Sequence, residues 1–208
     1  TNPGTPRGAG NLRGEDIEKI SQVEGITSSI KRINAIADIL DHEIIETEET
    51  LQNQSPERAK YFKNTLMVTG VNDSSKEDKF VSGAYKLVQG EHLTDKDKNQ
   101  ILMHEDLEKK NCLKVADKVR LKENADNEKG ANETVEVTIK GLFSGKNQAP
   151  LTYAQELYED TLISDLDTAA KLYGNTVQTA TYEDATFFAK GDQDLDQLIE
   201  KIKALDID

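Results

Sequence analysis

The chain has 208 residues, of which 36% are apolar and 31% are charged, and its formal net charge at pH 7 is −13. This length allows one medium domain or two small ones, and the lack of a basic stripe argues against nucleic-acid binding. The single cysteine excludes an internal disulfide framework and a structural zinc site built on cysteines.

The first half of the chain predicts one clear helix followed by a series of strands. Residues 1–10 are rich in glycine and proline and predict a loop. Ile17 and Ile20 follow acidic residues and predict a helix over 15–23 that ends at Gly25. Further along, we predict strands over 26–39, 65–71, 85–88 and 100–103, an irregular or loosely helical stretch over 41–63, a turn or helical start over 73–78, and a short helix over 104–111.

The second half contains the clearest alternating pattern. Val135, Val137 and Ile139 alternate with polar residues and predict a half-solvated antiparallel strand. We also predict a turn and strand over 115–121, a polar loop over 124–132, a loop over 144–150, a helix over 165–173 closed by Gly174, and a strand over 176–189. A last helix follows, which Asp192 caps. Its one apolar face carries Leu195, Leu198, Ile199 and Ile202. The elements predict a mixed α and β fold.

Eleven residues separate His92 from His104, too many for the tight ligand spacing of a typical metal site. Ligands on a helix usually lie three or four residues apart, and neither histidine has such a partner. The nearby acidic residues lack the glycine and terminal glutamate of a calcium loop. We therefore predict a turn, a strand and a helix with a charged surface here, and no metal or cofactor.

The run HEIIETEET, residues 42–50, contains four glutamates but predicts a solvated face or mobile loop. General acid–base chemistry needs two carboxyls in different environments, and this run offers no such contrast. Nucleophile and phosphate-binding motifs are absent. Cys112 follows the predicted helix over 104–111, where we expect it and Leu107 to face inward. The sequence therefore predicts no enzyme.

Residues 66–143 resemble the extracytoplasmic core domain of MacB-type ABC transporter permeases. The segments that carry the resemblance occur in the same order as in that family, and they read LMVTGVNDSSKEDKF, YKLVQGEHLTDKD, ILMHEDLEKKNCLKVADKVRLK and VEVTIKGLF. The matching turn positions are Gly70, Gly90, Asp117 and Gly141, while Ala116 replaces a glycine that the family usually has. The two chain ends resemble the family's first and last helix–strand units more loosely.

The resemblance implies an α+β fold with two lobes. A porter-like lobe of βαβ units would combine residues 1–65 and 150–208, and a smaller mixed lobe, residues 66–149, would be inserted into it. Both chain ends would point to the membrane. That orientation suits the abrupt start without an initiator Met or signal peptide, and we expect the chain to be a piece of a longer protein.

The resemblance also implies a non-catalytic domain on the extracellular side of the cell membrane. It would take part in export of peptides, such as antimicrobial peptides, or of drugs. Its implied partners are its own transmembrane helices, a cytoplasmic ATPase, an adaptor protein, a second permease copy and the substrate. The net charge would favour cationic peptides. An alternative from the same architecture is a protein-docking module that handles lipoproteins or activates a cell-wall hydrolase.

Overall fold

The computed structural model describes residues 12–123, 134–149, 151, 153–191 and 194–205. Its helices are α1 (Gly14–Ser21), α2 (Glu48–Gln52), α3 (Pro56–Tyr61), α4 (Asp78–Ser82), α5 (Glu105–Lys110), α6 (Leu166–Lys171) and α7 (Leu195–Lys203). Its strands are β1 (Leu12–Arg13), β2 (Ile26–Ile39), β3 (Thr65–Val71), β4 (Lys86–Gly90), β5 (Gln100–His104), β6 (Lys118–Glu123), β7 (Thr134–Ser144), β8 (Thr161–Asp165), β9 (Thr181–Tyr182) and β10 (Asp184–Ala189). Short 3₁₀ turns cover Ser74–Lys76, Ala154–Glu156 and Tyr158–Asp160.

One large mixed sheet organises the described residues. Its strands follow the order β10-β2-β3-β8-β5-β7-β4, and β6 pairs with both β2 and β7. The neighbours β3 and β8 run parallel, as do β5 and β7, while the other pairs are antiparallel. Strands β1 and β9 form a separate pair that joins the two ends of the chain. The fold class is therefore α+β, as predicted.

Alternation along the central strands sends side chains to two different cores. Ile101 and Met103 of β5 belong to the larger apolar cluster, whereas Leu102 between them belongs to the smaller one. This follows from the two-residue period of a strand, whose successive side chains point to opposite faces. The larger cluster includes residues of α1, α5 and α6, and the smaller one is aromatic-rich, with Tyr85 and Phe143 fully buried.

Several elements lie where the sequence predicts them. Strands β2 and β3 cover the predicted ranges 26–39 and 65–71, and the predicted helices near residues 15, 104 and 165 are α1, α5 and α6. The stretch 41–63 contains α2 and α3 after an extended portion. Strand β7 is antiparallel to β4 and β6 but parallel to β5. The predicted antiparallel pairing is therefore found with two of its three partners. The predicted loops over 1–10 and 124–132 lie outside the described residues.

Two predictions near the end of the chain are wrong, the extent of the strand over 176–189 and the cap of the last helix. Strand structure in the range 176–189 begins only at Thr181, because Thr176 and Thr179 close a turn before it. The apolar face of α7 is mostly open, since Leu198 is buried but Leu195 is 62% exposed and Ile199 46% exposed. Asp194 caps α7, and Asp192 lies outside the described residues.

Cys112 is also exposed, not inward-facing. It follows the end of α5 with φ of 54°, so the chain has already left the helix that would have turned its side chain toward the core.

The predicted division into two lobes stays a prediction. Both predicted lobes contribute strands to the large sheet. Strand β3, at the start of residues 66–149, pairs with β2 and β8, which belong to the other predicted lobe. None of the helices within the described ranges combines the length and the hydropathy needed to span a bilayer.

Candidate functional site

Gly90 and Gly141 lie opposite each other where β4 pairs with β7. Gly90 has φ of 78°, and a Cβ atom there would lie 2.2 Å from the carbonyl oxygen of Lys140. A Cβ on Gly141 would lie 2.8 Å from the carbonyl oxygen of Gln89. The two backbones therefore approach closely, and side chains larger than glycine have no room on either strand.

The other two predicted turn positions have different surroundings. Gly70 lies inside β3 and not at a turn, and its missing side chain lets α6 pack closely, since a Cβ would lie 2.5 Å from the Cβ of Ala169. Asp117 closes the turn before β6 by accepting the amide of Lys114 at 3.0 Å. Ala116 has φ of 78°, in the left-handed region that favours glycine, and so carries backbone strain.

His92 takes part in packing on the face of the smaller core. Its Nδ1 lies 2.8 Å from Ser74 Oγ, which also accepts the amide of Leu93 at 2.8 Å. Its ring meets Phe80 edge-on at 4.8 Å between centroids. Burial lowers the pKa of His92, while Asp73 opposes that effect. These contacts orient the loop after β4 and assign no chemical role to the ring.

His104 caps α5 with both ring nitrogens engaged. Nε2 donates to the carbonyl oxygen of Gly145 at 2.7 Å, and Nδ1 accepts the amide of Asp106 at 3.1 Å. The ring lies beside the carboxylates of Asp106 and Glu159, with possible ligand atoms within 4.8 Å of one another. A cation here would have to displace the cap and would face the positive end of α5. The two acidic side chains instead complement that helix end.

A polar cleft of about 380 Å³ lies at the carboxyl ends of the parallel strands β3 and β8. Asp165 at its base is buried and fully engaged, because it accepts the amides of Gln100 and Thr168 at 3.1 Å and the hydroxyl of Thr168 at 2.7 Å. At the rim Lys140 pairs with Asp97 at 2.7 Å, and Lys98 pairs with Asp167. Three of the charged residues that line the cleft, Asp97, Lys98 and Asp165, are thus engaged within the protein.

The acidic segment, residues 42–50, is fixed to the surface and not a mobile loop. Ile44 is buried, with 2% of its surface exposed, and its carbonyl oxygen accepts Lys110 Nζ at 2.7 Å. Asn111 bonds to both backbone groups of Glu43, at 2.9 and 2.8 Å. At the other end, Thr47 and Thr50 cap α2 reciprocally.

This anchoring presents the four glutamates of the segment between two grooves. One groove, of about 460 Å³, is lined by Glu43 and Glu46 together with Lys63 and Lys110. The other, of about 360 Å³, is lined by Glu48 and Glu49 and by Lys146, Asn147, Ala149 and Leu151. Glu43, Glu48 and Glu49 are exposed, so the segment forms an ordered acidic ridge at the surface.

Asp160 is the functional candidate that the sequence analysis did not find. It is fully buried at the end of the 3₁₀ turn before β8, and its Oδ1 accepts the amide of Ile45 at 2.7 Å. Its Oδ2 has no hydrogen-bond partner among the described residues. Burial raises the pKa of Asp160 to about 8, and Glu159 and Glu46 add to the rise, while the Ile45 amide and Lys110 oppose it.

The sequence matches no protein-family model, and no curated protein matches it. Solved structures do match. The periplasmic region of MacB from Actinobacillus actinomycetemcomitans has a TM-score of 0.51 at 17% identity, covering 92% of this chain and 71% of that chain. The extracellular domain of the noncanonic ABC-type transporter YknZ from Gram-positive bacteria has a TM-score of 0.50 at 12% identity, covering 92% of this chain and 78% of that chain. The chain therefore has the fold of the extracytoplasmic domains of MacB- and YknZ-type ABC transporters.

Proposed function

We propose that the chain is the extracellular domain of an ABC transporter permease that exports peptides or drugs. The observation that carries this proposal is the shared fold over 92% of the chain. ATP hydrolysis would take place on a separate cytoplasmic subunit or domain, and this domain would pass the resulting motion outward without catalysis of its own. An adaptor protein and a second permease copy would complete the assembly.

The acidic ridge of residues 42–50 supports cationic peptides as the substrate class. The backbone of the ridge is held in place by the bonds to Glu43 and Ile44, so a bound peptide would not have to order that backbone. The flanking grooves offer space along both sides of the ridge. The net charge of −13 would attract such a peptide from a distance.

Binding of a fluorescent lysine-rich peptide to the chain tests this substrate class. We expect binding that weakens steeply between low and high salt, because exposed charge pairs are screened. The variant Glu43→Gln/Glu48→Gln/Glu49→Gln should bind about tenfold more weakly, since each exposed ion pair contributes roughly 0.2–1 kcal/mol.

A matched control changes the net charge equally at a different surface. Glu183→Gln/Asp196→Asn/Glu200→Gln replaces three exposed acids, one between β9 and β10 and two on α7, and it should leave the affinity within about twofold of the original. Equal losses in the two variants, or binding that salt does not change, would remove the ridge as the peptide site. The domain assignment would stand in either case, because it rests on the fold.

A protein-docking role is the second candidate, and an aromatic surface favours it. Leu51 is 48% exposed, Tyr61 43% and Tyr153 36%. Among them, the guanidinium of Arg58 lies 4.6 Å from the ring centre of Phe62 and 4.2 Å from that of Tyr153. Tyrosine and arginine are enriched in protein interfaces. Identification of the proteins that co-purify with the parent permease distinguishes this role from peptide export.

A further inference from the structure

The part of the acidic segment around Ile45 covers a buried acid. Residues 43–46 belong to neither a helix nor a strand, and they are attached through side-chain bonds from Lys110, Asn111 and Asp160. Strand β8, on the other side of Asp160, is hydrogen-bonded to both β3 and β5. Moving residues 43–46 away from Asp160 therefore costs less free energy than moving strand β8.

The charges that face Asp160 do not compensate an ionised carboxylate. Glu159 on the same turn and Glu46 on the covering segment are both negative. Lys110 on α5 is the positive neighbour, but its Nζ donates to the carbonyl oxygen of Ile44 and lies 3.9 Å from Glu43. A negative charge on Asp160 therefore lacks a directly bonded counter-ion and gains stability chiefly from water.

We propose that Asp160 is a protonation-controlled latch for the acidic segment. As a neutral acid it accepts the Ile45 amide and keeps residues 43–46 closed over it. When its proton passes to water, the carboxylate is hydrated only if residues 43–46 move away, and the ridge opens. Because burial raises the pKa of Asp160 to about 8, opening becomes easier as the pH rises from about 4 toward that value. The latch goes beyond the proposed function, since it does not depend on whether a peptide binds.

Amide hydrogen exchange of the chain at several pH values tests the latch. The readout is the protection factor of residues 43–46, which compares their exchange with that of an unstructured chain at the same pH. We expect it to fall at least tenfold between pH 5 and pH 7 and to level off above about pH 8, because the open state loses the proton near pH 4 while the closed state holds it up to about pH 8. The Asp160→Asn variant keeps an oxygen for the Ile45 amide and cannot ionise, so its protection should not change.

The Glu48→Gln variant is the matched control, because it removes an exposed acid of the same ridge outside residues 43–46 and should retain the fall. Constant protection in the original protein, or an equal fall in Asp160→Asn, would overturn the latch. If Asp160→Asn does not fold, carbon-13 NMR of the Asp160 carboxyl in the original protein decides. A midpoint near pH 8 with a coincident change at the Ile45 amide supports the latch, and a midpoint below pH 5 overturns it.

Discussion

The carboxyl group of Asp160 holds its proton more tightly in the folded chain than an exposed aspartate does, because burial raises its pKa from 3.8 to about 8. Between those two pH values the folded state keeps a proton that the unfolded state has lost. The contribution of Asp160 to the free energy of unfolding is thus complete below about pH 4 and declines as the pH rises to about 8. The decline is at most about 1.4 kcal/mol per pH unit.

Asp160→Asn should remove this decline, since the amide has no charge to bury. We expect the variant to gain stability relative to the original protein between pH 5 and pH 8. Denaturant unfolding of both proteins at the two pH values measures the difference, and other titrating groups cancel in the comparison. A stability difference that stays constant over this range would contradict the assignment.

The importance of Asp160 could not be predicted from its neighbours in the sequence. Its burial depends on Ile45, 115 residues away, and on Lys110 of α5. His104 is similar, because its cap on α5 is local but its bond to Gly145 spans 41 residues. By contrast, the turn role of Asp117 rests on a contact three residues away and is visible in the sequence.

At the scale of elements, the pairing of β4 with β7 depends on two glycines. Gly90→Ala should destabilise the protein by more than about 3 kcal/mol, because the new Cβ meets the backbone of Lys140 and Gly141 as well as an unfavourable φ. Thermal or denaturant unfolding measures the loss.

The variant Gly83→Ala separates the cost of the close backbone contact from the cost of the unfavourable φ. Gly83 has φ of 82°, close to that of Gly90, but nothing lies within 4 Å of its added Cβ. We expect a cost of about 1 kcal/mol from the backbone conformation alone. Equal losses in the two variants would show that the close approach of β4 and β7 does not matter to stability.

Elements were predictable where their pattern is long. Strand β2 has 14 residues of alternating burial toward its end, and its range was predicted from the sequence. Strand β8 was missed, although it lies at the centre of the sheet. Its five residues are all buried, so it has no alternation, and acidic residues flank it. The last helix was found from its period, and of its predicted apolar face Leu198 is buried while Leu195 and Ile199 are exposed.

At the scale of the whole molecule, the sheet links distant parts of the chain. Strand β2 near the start pairs with β10 near the end, and β8 stands between β3 and β5. Such pairings are not encoded in any short segment, which is why the arrangement followed from a family resemblance and not from periodicity. The MacB-like α+β fold that the resemblance predicted is confirmed by the solved MacB and YknZ structures, while the division into two lobes stays a prediction.

The central claim is that this domain lies outside the cell membrane, and Cys112 allows a direct measurement. It is the only cysteine of the chain and is exposed. In spheroplasts that express the parent protein, a membrane-impermeant maleimide should label Cys112 before the membrane is permeabilised, and Cys112→Ser should remove that label. Labelling of Cys112 only after permeabilisation would contradict the account.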